Sequence, residues 1–213
     1  MLEALYDAFD RAKTDEAAVI LTGRDTVFSA GFDLKVMKKG GKPALGMLRA
    51  GYGLTAHVMA HPHPVVVACN GHSFAMGVFL MLSADYIVGT RGDFKISANE
   101  VAIGLTMPRV ASGMLKHRLT PAAYQRAVTL SEVFDPEAAV HAGFFDTLAD
   151  PAELLDKARD AMRGFRDLPP AAHAIAKRRI RRSLIRRIRI NVWLDLFDAL
   201  MLGIRRSGPK SPT

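Results

Sequence analysis

Glu100 is the residue whose surroundings first suggest chemistry. It is the only acid between Asp93 and Glu132, and the stretch around it, Ala98-Asn99-Glu100-Val101-Ala102-Ile103-Gly104, is otherwise small or apolar apart from Asn99. A carboxyl group buried in such a setting loses the hydration of its charged form, so its pKa rises and it becomes a usable base near neutral pH. A loop carboxylate that faces water or caps a helix has the same neighbours in sequence, so both readings stand on residue type alone. A second stretch, Pro64 to Asp85 (PVVVACNGHSFAMGVFLMLSAD), reads as a buried strand, an Asn70-Gly71 turn and a buried helix from Phe74 to Ala84 in immediate succession. A strand feeding a helix in this way presents backbone N–H groups at the helix start, where an anionic ligand or a developing oxyanion is favoured. The βα unit of an ordinary core has the same pattern.

Other reactive residue types yield less. His57, His61 and His63 are close in sequence, but two of them adjoin prolines and no Asp, Glu or Cys clusters with them. The expectation is a solvated turn before the next strand, with no metal. Cys69 is the one cysteine and lies within the apolar strand, which excludes a disulfide framework and points to a reducing, cytoplasmic setting.

These candidates need elements to position them. Among the 213 residues, 49% are hydrophobic, enough for one α/β domain with a sizeable core and a helical appendage. Leu2, Leu5, Tyr6, Phe9 and Ala12 recur at helical spacing, and Glu3, Asp7 and Asp10 make this segment unlike a signal peptide. Strands are expected at 18–22, from Val27 toward Ala30-Gly31, at 65–69, 86–89 and 94–96. Five glycines between Lys38 and Gly53 predict a mobile loop or interrupted helix ahead of a helix at 54–60. Thr120-Pro121, Asp135-Pro136 and Asp150-Pro151 each read as an N-cap followed by proline at the first helical turn, and Gly143 as a C-cap. Phe144 to Leu148 reads as a short strand or extended link. From Pro170 the pattern is helical, with apolar positions at Ile175, Ile180, Leu184, Ile188, Val192, Leu196, Phe197, Leu200 and Ile204.

The successive blocks AGFDLK, CNGHSFAMGVFLMLSAD, FKISANEVAIGLTMP and LTPAAYQRAVTLSEVFDPEAAVHAGFFD resemble the crotonase (enoyl-CoA hydratase/isomerase) superfamily over about residues 1–168. The resemblance implies an α/β fold, a spiral of ββα repeats, as a core at 1–168, and a helical trimerisation region with a basic segment at 169–213. It also implies an acyl-CoA thioester substrate, no separate cofactor and a homotrimer or hexamer. By the same resemblance, the backbone N–H groups of Phe32 and Met76 would hold the thioester oxygen, and Ala30, Phe32, Asp33, Leu34, Lys35 and Gly77 would line the substrate site. Two glutamates occur in the hydratases of this family. Here the first falls at Phe79, which can neither give nor take a proton, and the second at Glu100, in a loop similar to the asparagine-glutamate loop of the family's 3-enoyl-CoA to 2-enoyl-CoA isomerases. Hydration divides its work between two carboxylates, whereas moving a double bond needs one base. An isomerase is therefore expected ahead of a hydratase or a catalytically weak acyl-CoA binder. The family's first hairpin would precede the helix at which this sequence starts, which predicts an exposed sheet edge at Val19 to Leu21.

The net charge of +8 resides entirely in the segment from Lys177 to Arg206, where ten Lys/Arg meet only Asp195 and Asp198. A solvated amphipathic helix packing on a neighbouring subunit is expected, with Ile180, Leu184 and Ile188 on its apolar side. Arginine forks also suit CoA phosphates or anionic lipid, so a basic surface adaptor is a further reading. No interleaved aromatic set supports nucleic acid binding, and no segment is long and apolar enough to be a transmembrane span.

Overall fold

The computed structural model describes residues 1–207, except for the side chains of Arg166 and of residues 202–207. The expected apolar position Ile204 and the end of the 169–213 region lie outside that description. Strands β1 (Val19–Thr22), β3 (Val65–Cys69), β5 (Tyr86–Thr90) and β7 (Thr147–Ala149) form one parallel sheet in the order β1-β3-β5-β7. A second parallel sheet holds β2 (Val27–Ser29), β4 (His72–Phe74) and β6 (Ile96–Ser97) in the order β2-β4-β6. Each turn of the chain therefore lays one strand on each sheet and climbs one place, the ββα spiral that the sequence led us to expect. Strand β1 pairs only with β3 and forms an edge of its sheet among the described residues.

The corner between sheets corrects one local reading. Asn70-Gly71 leads not straight into a helix but into β4, and only after β4 does helix α4 (Met76–Met81) begin. The corner stacks on its counterpart one turn earlier: the Asn70 side chain accepts from Gly23 N–H at 2.9 Å and donates to the Asp25 carbonyl at 2.8 Å. A Cβ on Gly71 would lie 1.9 Å from the Thr26 carbonyl oxygen, so this contact excludes any side chain.

Strand β3 is buried at every position because both faces of its sheet are covered. Val65, Val67 and Cys69 face the main core; Val66 and Ala68 face a smaller cluster with Leu154 and Ala158 of α8 (Leu154–Arg166). That is the usual reason a parallel strand reads as a continuous apolar run.

Helix α1 (Leu2–Thr14) packs on helix α3 (Gly41–Met59), which is continuous where the glycines predicted a break; short helix α2 (Leu34–Lys39) precedes it. Interior glycine costs about 1 kcal/mol against alanine, but one flank of α3, including Leu48, Tyr52, Leu54 and Val58, is buried and outweighs that cost. Two of the glycines admit neighbours: a Cβ on Gly53 would meet the Tyr6 hydroxyl at 2.7 Å, and one on Gly51 the Phe32 ring at 2.4 Å.

Beyond β6 come α5 (Arg109–Arg118), α6 (Pro121–Leu130) and α7 (Pro136–Ala142). Thr120 and Asp135 cap α6 and α7 as expected, and Gly143 ends α7 at φ +98°. Asp150 does not cap α8, which starts at Leu154; its carboxylate instead lies 3.5 Å from Arg91. His61 is another correction. It is buried, with Nε2 2.9 Å from the Ala17 carbonyl and its ring edge-on to Phe9, so it is a core residue rather than part of a solvated turn.

The last helix, α9 (Pro170–Ser207), packs on α3 and α5 of its own chain. Its buried stripe is Lys177, Arg181, Leu184, Ile185, Ile188, Val192 and Asp195, while Ile180 is 69% exposed. The stripe is displaced from the apolar side expected from sequence because two of its cations are anchored inside. Asp85 Oδ2 accepts from Lys177 Nζ at 2.6 Å and from Val65 N–H at 2.7 Å, and Asp85 Oδ1 lies 3.0 Å from Arg181 Nη2. Arg181 also donates to the carbonyls of Met59, Ser83 and Ala84, and Lys177 to that of His63. No described helix is long and apolar enough to cross a membrane.

Removing the acid from this cluster strands two buried cations. Asp85→Asn is expected to cost about 3–5 kcal/mol, read as a lowered urea midpoint, while Asp156→Asn, in an exposed ion pair with Arg159, should leave that midpoint nearly unchanged.

Candidate active site

Two backbone features bring the segment after β2 against the start of α4. Gly31 adopts φ +91°, and a Cβ there would lie 3.2 Å from the Ala75 Cβ and 3.4 Å from Met76 N. Gly77 lies so close to β2 that a Cβ would meet the Ser29 carbonyl at 2.5 Å. Ala75 itself is held at φ +47°, a left-handed conformation that costs a residue with a Cβ on the order of 1–3 kcal/mol and that turns the chain from β4 into α4. The Phe32 and Met76 amides consequently sit on neighbouring segments, and neither has a protein acceptor among the described residues.

The side chains of these two residues pack toward α3. The Phe32 ring lies over Gly51 and edge-on to Tyr52, with ring centroids 5.6 Å apart. Met76 Sδ would stand 3.5 Å from a Cβ on Gly51, so the thioether fills space beside the Phe32 ring. Gly51 and Tyr52 were not among the residues singled out from sequence. A glycine among four others reads as a helix breaker, and nothing local marks it as the seat of an aromatic ring 19 residues away.

Glu100 reaches the same region through the sheet. Phe74 pairs with Ser97, and Ala75 N–H donates to the Ser97 carbonyl at 3.0 Å. Met76 and Glu100 therefore leave adjoining strands at the same end. Glu100 is 6% exposed and opens a single 3-10 turn, Val101–Ile103, with its carbonyl accepting from Leu105 N–H at 2.9 Å. Its Oε2 is buried without a hydrogen-bond partner, as is Oδ1 of Asn99 beside it. Burial pushes the Glu100 carboxyl up to about 7, partly offset by a hydrogen bond from its own backbone amide. The Glu100 carboxyl is therefore buried and does not face water. Tyr52, 5% exposed, has its phenol pKa raised first by burial and then by the negative charges of Asp195 and Glu100. Asp195 is otherwise engaged: reaching from α9, it accepts the Arg109 and Val110 N–H groups at the start of α5, each at 3.0 Å.

The remaining expected site residues divide. Ala30, Asp33, Leu34 and Lys35 are exposed at the mouth of the loop, where Asp33 caps α2 by accepting from Lys35 and Val36 N–H. Phe79 is 1% exposed and packs in the main hydrophobic core. Cys69 is buried and its thiol is pushed up to about 12, so it is no nucleophile. Among the described residues no three His, Cys, Asp or Glu side chains converge as metal ligands.

A family model described as enoyl-CoA hydratase/isomerase matches residues 1–193. The chain belongs to the enoyl-CoA hydratase/isomerase family. A probable enoyl-CoA hydratase, EchA17 of Mycobacterium tuberculosis, is 33% identical over 167 residues, or 78% of this chain and 63% of the relative. The chain thus spans less than two thirds of that relative's length. An Mtb enoyl-CoA isomerase structure superposes with a TM-score of 0.85 at 42% identity, covering 90% of this chain and 84% of its own. An enoyl-CoA hydratase, EchA3 of Mycobacterium ulcerans, superposes with a TM-score of 0.89, also at 42% identity, covering 93% and 87%. These superpositions show that the chain shares the fold of those structures over most of its length.

The raised carboxyl pKa has a consequence for stability. A group with a higher pKa folded than unfolded stabilises at low pH and loses that contribution as pH rises through the folded value. Between pH 4.5 and pH 7 the wild type should therefore lose about 3 kcal/mol relative to Glu100→Gln, at about 1.4 kcal/mol per pKa unit. Urea titrations of both proteins across that range check the sign.

Proposed function

We propose that this chain shifts a carbon–carbon double bond in an acyl-CoA thioester, converting a 3-enoyl-CoA to a 2-enoyl-CoA. Glu100 removes a proton at C2, and the charge that develops on the thioester oxygen is held by the N–H groups of Phe32 and Met76. The same carboxyl then returns a proton at C4, so the site ends as it began. One observation carries this reading: the buried Glu100 carboxyl, pushed up to about 7 and with one oxygen unpartnered, follows the strand next to the one that leads into Met76, whose amide, like that of Phe32, has no protein acceptor among the described residues. At the position of the second carboxylate that hydration would use stands Phe79, a ring buried in the main hydrophobic core that can neither give nor take a proton.

The names of relatives divide between hydratase and isomerase, and so do not choose between the two. Chemistry chooses. Adding water requires a polarised water held opposite the proton donor, and Asp195, the other buried carboxylate near Tyr52, already caps α5. Met76 narrows the site with its side chain but contributes through its main chain, so its thioether does not preclude the oxyanion contact.

Incubating the protein with a panel of enoyl-CoAs in heavy water should place label at both C2 and C4. Formation of a 3-hydroxyacyl-CoA would overturn the isomerase in favour of a hydratase, and tight acyl-CoA binding without label would leave a binder. Glu100→Gln should lower turnover by about 10²–10⁴-fold. In the wild type, kcat/KM should rise with pH through about 7 and level off above it, because the base must be ionised.

A further inference from the structure

A cleft of about 860 Å³ runs along α9 where that helix faces the ends of α1 and α3, away from Glu100. Met59 and Ala60 line it, two turns of α3 beyond the Tyr52 that borders the Glu100 site. Its composition is unusual. Lys13, Arg178, Arg182, Arg186 and Arg189 line it, and no Asp or Glu does. Lys177, at its edge, is turned inward to Asp85, but the other five cations have no carboxylate partner among the described residues. The four arginines follow at intervals of four, four and three residues, which sets them on one helical face. Like charges so spaced repel one another, a cost that a bound anion would remove.

The floor of the same cleft is aliphatic. Met59 and Ile185 are buried beneath it, and Ile175 and Ile190 stand at either end, 40% and 53% exposed. Fifteen residues of helix separate those two isoleucines, about 22 Å at 1.5 Å per residue. Apart from His61 no aromatic ring lines the cleft, so no Phe, Tyr or Trp offers a stacking surface for a nucleobase. The volume is that of a small-molecule site, within the range of about 300–1,000 Å³ for such pockets.

We propose that this cleft binds a single-chain anionic amphiphile, its alkyl chain along the Ile175–Ile190 floor and its phosphate or carboxylate head among the arginines. Arginine forks match either head group, and the unbranched chain needs only a continuous apolar track. The site is separate from Glu100, so its occupancy does not depend on which acyl-CoA reaction the protein performs.

Calorimetric titration of the full chain with decyl phosphate below its micelle concentration tests this, with decanoate as a second arm that tells a carboxylate head from a phosphate head. Saturable one-to-one binding of either is expected, weakened at least about tenfold in Arg182→Glu/Arg186→Glu and similarly in Ile190→Asn, with no binding of decyltrimethylammonium. Because both substitutions are at exposed positions, unchanged urea midpoints should accompany the loss; should the double variant fail to fold, Ile190→Asn alone decides. The proposal is overturned if inorganic phosphate binds as tightly as decyl phosphate, which would leave only a charged patch. It is equally overturned if the protein sediments with phosphatidylglycerol vesicles but ignores the monomeric amphiphile, or if amphiphile binding is absent while the double variant has a smaller assembly mass than the wild type, showing a second copy in the cleft.

Discussion

The carboxylate of Asp85 is the point on which this molecule's architecture converges. It lies at the start of β5, and through Val65 N–H it joins the start of β3, while through Lys177 and Arg181 it holds α9. Arg181 adds carbonyls from the end of α3 and from the link before β5. Desolvation lowers the Lys177 and Arg181 pKa values, and Asp85 offsets part of that effect by favouring their charged forms. A buried cluster of this kind contributes little net stability beside an apolar substitute, and breaking it leaves buried charges uncompensated. On the same helix Arg178, Arg182 and Arg186 face outward along a cleft, and Asp195 reaches the start of α5.

From that anchoring the candidate site follows by close backbone approach rather than by any single reactive side chain. Gly51 and Gly77 stand where another segment passes too near for a Cβ, and Gly31 turns the chain at φ +91° close to Ala75. Together they seat the Phe32 ring on α3 and bring the loop after β2 against the start of α4. The strained Ala75 persists because β4 pairs with β6 on one side of it and α4 begins on the other. Glu100 enters on the same ladder, and its burial supplies the altered proton affinity that a base at neutral pH needs.

Much of this was legible locally. Thr120-Pro121 and Asp135-Pro136 begin helices because capping needs only a side-chain oxygen and the next few amides, and Val65 to Cys69 is a strand because its composition suits burial on both faces. The same rule failed at Asp150-Pro151, where Arg91 competes for the carboxylate, and in α3, where burial outweighs three interior glycines. His61 looked solvated beside its prolines and proved to be a core ring because Phe9 and Ala17 arrive from elsewhere in the chain.

By itself, then, the sequence determined the strands β1, β3 and β5, the capped helices α6 and α7, the family to which the motifs belong and the identity of the one candidate base, but not β4, α5 or the unbroken α3. The tertiary structure alone decided that Glu100 is dehydrated rather than solvated, that Gly51 admits the Phe32 ring, and that α9 buries Lys177 and Arg181 while leaving Ile180 in water. Burial and charge pairing are sums over partners distant along the chain. Asp85 and Lys177, 92 residues apart, meet only once the spiral is closed.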